Sequence, residues 1–271
     1  MARGLNHVYL LGSLVRDPEL RYTASGLATL NFTVAGEDEV LGEDGQLRTL
    51  PWYHRCGMLG QQSVQVAELK AGGLVFVEGA LSYRAWETKE GDRRSTLDVK
   101  ALRVEVATPG HRGGDAVVTD RQGGTRLRKG VNQAWILGNL TRDPELRYTS
   151  NGVAVIGLDV AVNERFQDRS KQWQERTHFV RATAWRTLAE ACAEAKKGDP
   201  LLVSGRLRNN QWTDKSGQQR NTLELEADRV EFLTRGPIGG GQRVEQGARR
   251  AGPSNLPDID DELPPEEDMP F

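Results

Sequence analysis

Aromatic side chains that stand beside lysine and arginine are the residues of this chain best suited to chemistry. Between positions 164 and 179, rings and cations alternate through a polar stretch in which no hydrophobic core requires a ring. The aromatic residues of this half of the chain are Phe166, Trp173, Phe179, Trp185 and Trp212, and the basic residues near them are Arg165, Lys171, Arg181, Arg186 and Arg208. A flat ring stacks on another flat ring, and a cation attracts a polyanion.

The first half of the chain carries fewer such residues, namely Trp52, Tyr53 and Trp86 with Arg55 and Arg84. Rings that stack on unpaired bases, with cations along the backbone, are the typical means of binding single-stranded nucleic acid, and each stacked base contributes roughly 1–3 kcal/mol. The pattern therefore predicts binding without sequence preference. A position in the hydrophobic core is the alternative for each ring taken alone. Duplex DNA suits the pattern less, because no recognition helix is evident.

The sequence holds no motif of an enzyme active site. A phosphate-binding loop, a nucleophile elbow and a dinucleotide fingerprint are all absent from it. The four histidines are scattered, and none has the helical partner that a zinc site needs. We expect no catalysis, no cofactor and no metal site.

Almost the same thirteen residues occur twice, at positions 14–26 and 140–152. The spacing of 126 residues holds far beyond them, since 15 of 25 positions are identical between residues 11–35 and 137–161. A period of this length is the size of a small domain. We expect an N-terminal domain at residues 1–107, a connector at 108–127, a second copy at 128–234, and a flexible linker with an acidic tail at 235–271.

Strand patterns dominate each copy, in the order three strands, one helix and two strands. The predicted helices cover residues 61–71 and 187–197, and Thr187 with Glu190 forms a candidate capping box before Gly198 ends the second helix. An antiparallel sheet of five strands with one helix closes most simply as an OB-fold. The predicted fold class is all-β with minor helix, as two tandem OB-fold barrels of five strands and one helix each, followed by a disordered acidic tail.

The net charge of −2 conceals an asymmetry along the chain. Residues 255–271 contain seven acids and no lysine or arginine, which leaves 36 basic against 31 acidic residues before them. This division indicates a body that binds a polyanion and a tail that interacts with other proteins. The two cysteines do not occupy matching positions, and no signal peptide or membrane helix is evident. We expect a protein of the cytoplasm.

At residues 129–152, at residues 205–230 and in the terminal EEDMPF, the chain resembles the bacterial single-stranded DNA-binding proteins. The resemblance implies binding and protection of single-stranded DNA in replication, recombination and repair. Two OB-folds in one chain look like the branch of this family in which a homodimer presents four OB-folds. An RNA-binding OB-fold protein is the main alternative, an OB-fold nuclease is the enzymatic one, and a scaffold without nucleic-acid affinity is the third.

The family stacks bases at four places, and copy two has an aromatic residue at each of them. By resemblance these positions are Phe166, Phe179, Trp185 and Trp212, and their counterparts in copy one are Val40, Tyr53, Leu59 and Trp86. The basic contacts of the family correspond to Arg55, Lys70 and Arg84, and to Arg181, Lys197 and Arg208. These rings and cations, without Val40 and Leu59 and with Trp173, which the residue pattern adds, are the expected DNA-binding residues. Copy one lacks two of the four rings, so we expect unequal binding by the two copies.

The last residues resemble the tail tip of the same family, which docks on replication, recombination and repair enzymes. The expected partner-binding residues are Asp268, Met269, Pro270 and Phe271. The terminal ring and carboxylate suit a pocket with a basic rim, while the acids before them steer the approach. A tail that only increases solubility is the alternative.

Overall fold

The structure is a computed structural model that describes residues 4–41, 46–87, 93–107, 116–120, 123–167, 170–213 and 219–233. Residues 41, 93–94, 211–213 and 219–221 are described by their backbone alone. The expected acidic tail, and with it Asp268, Met269, Pro270 and Phe271, lies outside the described residues.

Each half of the chain folds into long strands and one short helix. The first half contains β1 (Asn6–Leu14), β2 (Glu19–Tyr22), β3 (Ala28–Leu41), β4 (Leu47–Leu59), α1 (Gln62–Val66), β5 (Leu74–Glu87) and β6 (Arg93–Val106). The connector adds β7 (Val117–Thr119) and β8 (Thr125–Leu127). The second half contains β9 (Val131–Leu140), β10 (Leu146–Tyr148), β11 (Ala154–Gln167), β12 (Trp173–Trp185), α2 (Arg186–Ala191), β13 (Pro200–Thr213) and β14 (Gln219–Phe232).

Five strands close into a barrel in each half. In the first half β1 pairs with β3 and β5, β3 with β4, and β5 with β6, all antiparallel. A short parallel pairing of β4 with β6, at Cys56 and Val99, completes the ring. The second half closes in the same order, with its parallel pairing between β12 and β14. This is the OB-fold order, and it confirms the predicted fold class.

The core follows from the alternation of side chains along the strands. On β12, every second residue from His178 to Ala184 is buried, and the residues between them are not. On β1, Val8 and Leu10 are fully buried. Because successive side chains of a strand point to opposite faces, each long strand has one row inside the barrel and one row outside it.

The two barrels share one continuous sheet. Strand β1 pairs antiparallel with β9 over six residue pairs, from Asn6 opposite Ile136 to Leu11 opposite Val131. Positions 126 residues apart make equivalent contacts, so the barrels are related by an approximate two-fold axis between β1 and β9. Because of this pairing, the outer faces of the two barrels have a fixed position and orientation relative to each other.

The repeated motif fastens the loop that follows each helix. The carboxylate of Asp17 accepts hydrogen bonds from the backbone N–H of Ala71 at 2.9 Å and from Nζ of Lys70 at 3.0 Å. These bonds, the backbone bond first, lower the pKa of Asp17 below its usual value. Asp143 repeats the arrangement by accepting from the backbone N–H of Lys197 at 2.7 Å.

The motif ends in a turn that needs glycine. The Thr23 hydroxyl accepts from the backbone N–H of Leu27 at 3.0 Å, while Gly26 adopts a φ of +77°. Thr149 and Gly152 repeat this turn. Only glycine takes such a φ without strain. The motif therefore explains why the same thirteen residues occur twice, since both barrels need the same loop.

The helices are shorter than the sequence predicts. They end at Val66 and Ala191 rather than at residues 71 and 197, because the backbone N–H groups beyond them bond to turns and to Asp17 and Asp143. The predicted capping box of Thr187 with Glu190 is wrong. The N-cap of α2 is Trp185, without a side-chain hydrogen bond.

Candidate nucleic-acid interface

Three of the predicted rings share the outer face of β12. Trp173, Phe179, Arg181 and Trp185 all occupy odd-numbered positions of the strand, and the even-numbered positions from His178 to Ala184 are buried. Trp173 is 58% exposed, and Phe179 and Trp185 are half-buried. The strand therefore presents rings and a guanidinium on a single face, where unpaired bases can stack on the rings.

Phe166 lies on the other face of the same hairpin. It pairs directly with Gln174, whereas Trp173 pairs with Gln167, and opposite residues of an antiparallel pair share a face. The guanidinium carbon of Arg176 lies 4.9 Å from the centre of the Phe166 ring. On the Trp173 side, the guanidinium carbon of Arg165 lies 5.7 Å from the indole ring. The structure does not bring Phe166 together with the other three rings.

Arg181 occupies the middle of the row on β12. A Cβ atom at Gly157, on the neighbouring strand, would approach a terminal nitrogen of Arg181 to 3.0 Å, so the glycine leaves room for this side chain. Asp159 pairs directly with Arg181 across β11 and β12, and it also accepts a hydrogen bond from Nε of Arg142 at 2.6 Å. At this point of the face, Asp159 therefore binds Arg142 and lies directly opposite Arg181 in the strand pairing.

The remaining expected residues of copy two lie on β13 and in the loop before it. Arg208 donates to Glu226 at 2.9 Å, and Arg206 donates to the same carboxylate. Lys197 is exposed and its backbone N–H is bound to Asp143. Trp212 lies in β13, but its side chain lies outside what the structure describes.

In copy one, Tyr53, Arg55 and Leu59 share the outer face of β4. Arg55 is exposed, and the apolar side chain of Leu59, at the counterpart of Trp185, is 57% exposed. Tyr53 is half-buried, and its hydroxyl donates to Asp120 of the connector at 3.0 Å.

The other positions compared in copy one lie on β5, on β3 and in the loop after α1. Trp86, at the end of β5, is 48% exposed. Arg84 forms an ion pair with Asp98 at 2.7 Å, and Lys70 is engaged by Asp17. Val40 is half-buried on β3.

The connector packs on copy one, which sequence reasoning missed. It forms the hairpin β7–β8, and Leu127 of β8 pairs with Gly36 of β3. The Thr125 hydroxyl donates to the carbonyl of Leu14 at 2.7 Å. These two strands therefore extend the sheet of copy one beyond β3, and the bond from Tyr53 to Asp120 ties the connector to β4. Copy two has no matching strands among the described residues.

Trp52 belongs to the core rather than to the interface. It is only 6% exposed and stacks on His54, with 5.3 Å between the ring centres. Burial lowers the pKa of His54 to about 4. The aromatic and basic pattern of the sequence does not show that Trp52 is buried and the adjacent Tyr53 is not. The alternation of buried and outward side chains along β4 does show it.

A cleft of about 520 Å³ lies where β4 of copy one meets β13 of copy two. Three arginines line it, Arg55, Arg206 and Arg208, together with Asp38. Burial raises the pKa of Asp38, although the two arginines of β13 oppose that effect. Arg206 is a cationic residue of this region that the sequence pattern did not single out.

Within the described part of the chain, no group of three His, Cys, Asp or Glu side chains is placed to hold a metal ion. The described helices include none with the length and apolar character needed to cross a membrane.

The family model described as Single-strand binding protein family matches the chain twice, at residues 5–107 and 131–233. A single-stranded DNA-binding protein of Deinococcus radiodurans is 53% identical over 239 residues, which cover 87% of this chain and 78% of the relative. One of Thermus aquaticus is 47% identical over 273 residues, across the whole of both chains. The crystal structure of the wild-type Thermus aquaticus protein superposes with a TM-score of 0.70 at 42% identity, and covers 89% of this chain and 98% of that one.

Proposed function

Because this chain belongs to the single-strand binding protein family, we propose that it binds single-stranded DNA without sequence preference and protects it. The row on β12 is the observation that supports this best. It combines Trp173, Phe179 and Trp185 with Arg181 on one outward face. Stacking on these rings tolerates any base, and the cation attracts the phosphates between the bases.

The proposed DNA-binding surface covers both barrels, each corresponding to one of the domains expected at residues 1–107 and 128–234. In copy two it consists of Phe166, Trp173, Phe179, Arg181, Trp185, Lys197, Arg208 and Trp212. In copy one it consists of Tyr53, Arg55, Lys70, Arg84 and Trp86. Copy one has fewer rings and carries the connector beside Tyr53, so copy two makes the larger contribution.

In this proposal the chain works as a homodimer that presents four OB-folds, on the nucleoid in the cytoplasm. A strand that is held by one barrel reaches the next barrel at a high effective concentration, which favours wrapping over binding by separate molecules. Measurement of the complex mass with and without poly-dT tests this arrangement. Two chains per particle support it, and a single chain at all concentrations would argue against it.

The acidic end of the chain serves recruitment in this proposal. Asp268, Met269, Pro270 and Phe271 bind replication, recombination and repair enzymes, while the barrels hold the DNA. Recruitment and coating are therefore separate functions of separate segments.

A titration against poly-dT and a length-matched RNA tests the proposed ligand. We expect tighter binding to DNA, with the logarithm of affinity falling linearly as the logarithm of salt concentration rises. Equal or tighter binding to RNA would favour an RNA-binding OB-fold protein instead. A labelled single strand incubated with magnesium serves as the control for catalysis. We expect the strand to stay intact, whereas its loss would indicate a nuclease.

A further inference from the structure

We infer that Arg147 on β10 is a further phosphate-binding residue, which holds the backbone of the nucleotide that stacks on Trp185. The inference rests on the proposed function. It adds to the proposed DNA-binding surface a residue of β10, a strand outside the five that close the barrel. Its ligand is the phosphodiester group of a single DNA strand.

The pairing of three strands places Arg147 and Trp185 on one row. Arg147 of β10 pairs directly with Val155 of β11, and Val155 pairs directly with Trp185 of β12. Residues directly opposite each other in an antiparallel pair share a face. Strands lie about 4.8 Å apart, so the backbones of Arg147 and Trp185 are about 10 Å apart across the sheet. The arginine therefore flanks the ring on the outward face.

The present partner of Arg147 is weakly bound and easily replaced. The guanidinium donates to Glu145, which directly precedes this short strand, at 2.7 and 3.2 Å. The side chain of Glu145 is 73% exposed, and an ion pair in such a position contributes little to stability. A phosphate accepts two parallel hydrogen bonds from a guanidinium, which favours exchange of Glu145 for a DNA phosphate.

Two further arginines lie near the row. Arg142, in the loop before β10, donates to Asp159, and Asp159 lies directly opposite Arg181 in the pairing of β11 with β12. A strand that follows the rings of β12 thus passes along a cationic margin formed by β10 and the loop before it.

Copy one repeats the arginine but not the ring. Arg21 of β2 pairs with Thr29 of β3, and Thr29 pairs with Leu59 of β4. Arg21 also has the same ion pair, with Glu19 at 3.1 Å. Because leucine has no flat ring on which a base stacks, Arg21 lacks the neighbour that would position a phosphate beside it. Copy one, with Arg21 beside Leu59, therefore serves as an internal control for the role of the ring beside Arg147.

The test uses the full chain and four variants, Arg147→Gln, Arg147→Lys, Arg21→Gln and Arg103→Gln. Arg103 is an exposed arginine on β6 that forms the same kind of ion pair, with Glu105 two residues later. The measurement is the affinity for a dT oligonucleotide over a range of salt concentrations. We expect Arg147→Gln to weaken binding several-fold and to reduce the salt slope by about 0.7, the value for one phosphate contact on a single strand.

The controls separate this inference from the proposed function. Arg147→Lys should restore most of the salt slope, Arg21→Gln should change it less than Arg147→Gln does, and Arg103→Gln should leave it unchanged. Two results would overturn the inference. One is a salt slope for Arg147→Gln equal to that of Arg103→Gln, and the other is a salt slope for Arg147→Lys equal to that of Arg147→Gln. In either case the proposed function stands if the unaltered chain binds DNA. If the unaltered chain does not bind dT, the proposed function itself fails.

Discussion

The ring of Tyr83, in copy one, meets the ring of Phe179, in copy two, edge-on, with 5.5 Å between the ring centres and 84° between the planes. The backbone N–H of Tyr83 also donates to Nδ1 of the neighbouring His178 at 3.1 Å. At the positions related by the 126-residue repeat, Asn209 donates instead to the carbonyl of Tyr53. The approximate symmetry of the two barrels is therefore broken at a position proposed to stack on DNA, since the ring of Tyr83 packs on Phe179 whereas the amide of Asn209 lies beside Tyr53.

A double-mutant cycle of Tyr83→Ala and Phe179→Ala measures this contact. Edge-to-face pairs contribute about 0.5–1.5 kcal/mol beyond the burial of their area, so we expect a coupling energy of that size in the free energy of unfolding. Tyr22→Ala, which removes an exposed tyrosine elsewhere in the same barrel, should change stability by less than about 0.5 kcal/mol. A coupling energy near zero would show that the two rings do not support each other.

The rings of copy two should contribute more to DNA affinity than those of copy one. We expect Trp185→Ala and Trp212→Ala each to weaken binding of poly-dT by about 1–3 kcal/mol, because each removes a stacking platform. Trp86→Ala should cost less, since copy one has Val40 and Leu59 where copy two has rings. Fluorescence titration of the three variants measures the difference, and equal losses would contradict the asymmetry.

Tyr53 has a ring for which we propose stacking on a base and a hydroxyl that binds the connector, and the Tyr53→Phe variant tests the two roles separately. The change removes the bond to Asp120 and keeps the ring, so the free energy of unfolding should fall by about 0.5–1.5 kcal/mol. Affinity for poly-dT should stay within about twofold, since phenylalanine stacks equally well. Tyr53→Ala should weaken both properties. A Tyr53→Phe variant that loses DNA affinity would show that the hydroxyl itself takes part in binding.

Stability should fall in mild acid because of His54. Its pKa is about 4 in the folded protein, through burial, against an ordinary value of 6.5. The unfolded chain therefore binds a proton that the folded chain does not, so this contribution is complete above pH 6.5 and is lost as the pH falls towards 4. At about 1.4 kcal/mol for each pH unit, the loss is about 3 kcal/mol.

Replacement of His54 by valine, the residue at the matching position 180, should remove this part of the pH dependence. Denaturant unfolding at several pH values between 7 and 4 makes the comparison with the unaltered chain. The prediction is wrong if the His54→Val profile falls as steeply as that of the original protein.

Removal of residues 268–271 should abolish binding of partner enzymes and leave DNA affinity unchanged, because the tip and the barrels have separate roles in the proposal. Immobilised full-length and shortened chains, exposed to purified replication and repair enzymes, report the first property, and a poly-dT titration reports the second. Loss of DNA affinity in the shortened chain would count against this separation.

Local sequence patterns predicted the strands of both barrels and named most of the residues proposed to bind DNA. Strand patterns are local, so they predicted β1, β9 and the second half of β12 without knowledge of their partners. The 126-residue repeat then required that both copies share one fold. The ring and cation pattern located Trp173, Phe179, Arg181 and Trp185 on the strand that brings them together.

Which residues of different strands share a face depends on the register between those strands, and that register is seen only in the folded protein. The register of β11 and β12 places Phe166 on the face of the hairpin away from Trp173, and the register of β10 and β11 brings Arg147 into the row of Trp185. The helices also ended early because Asp17 and Asp143 bind the backbone beyond them. Local sequence patterns contain no information about such long-range hydrogen bonds, which form only when the chain closes on itself.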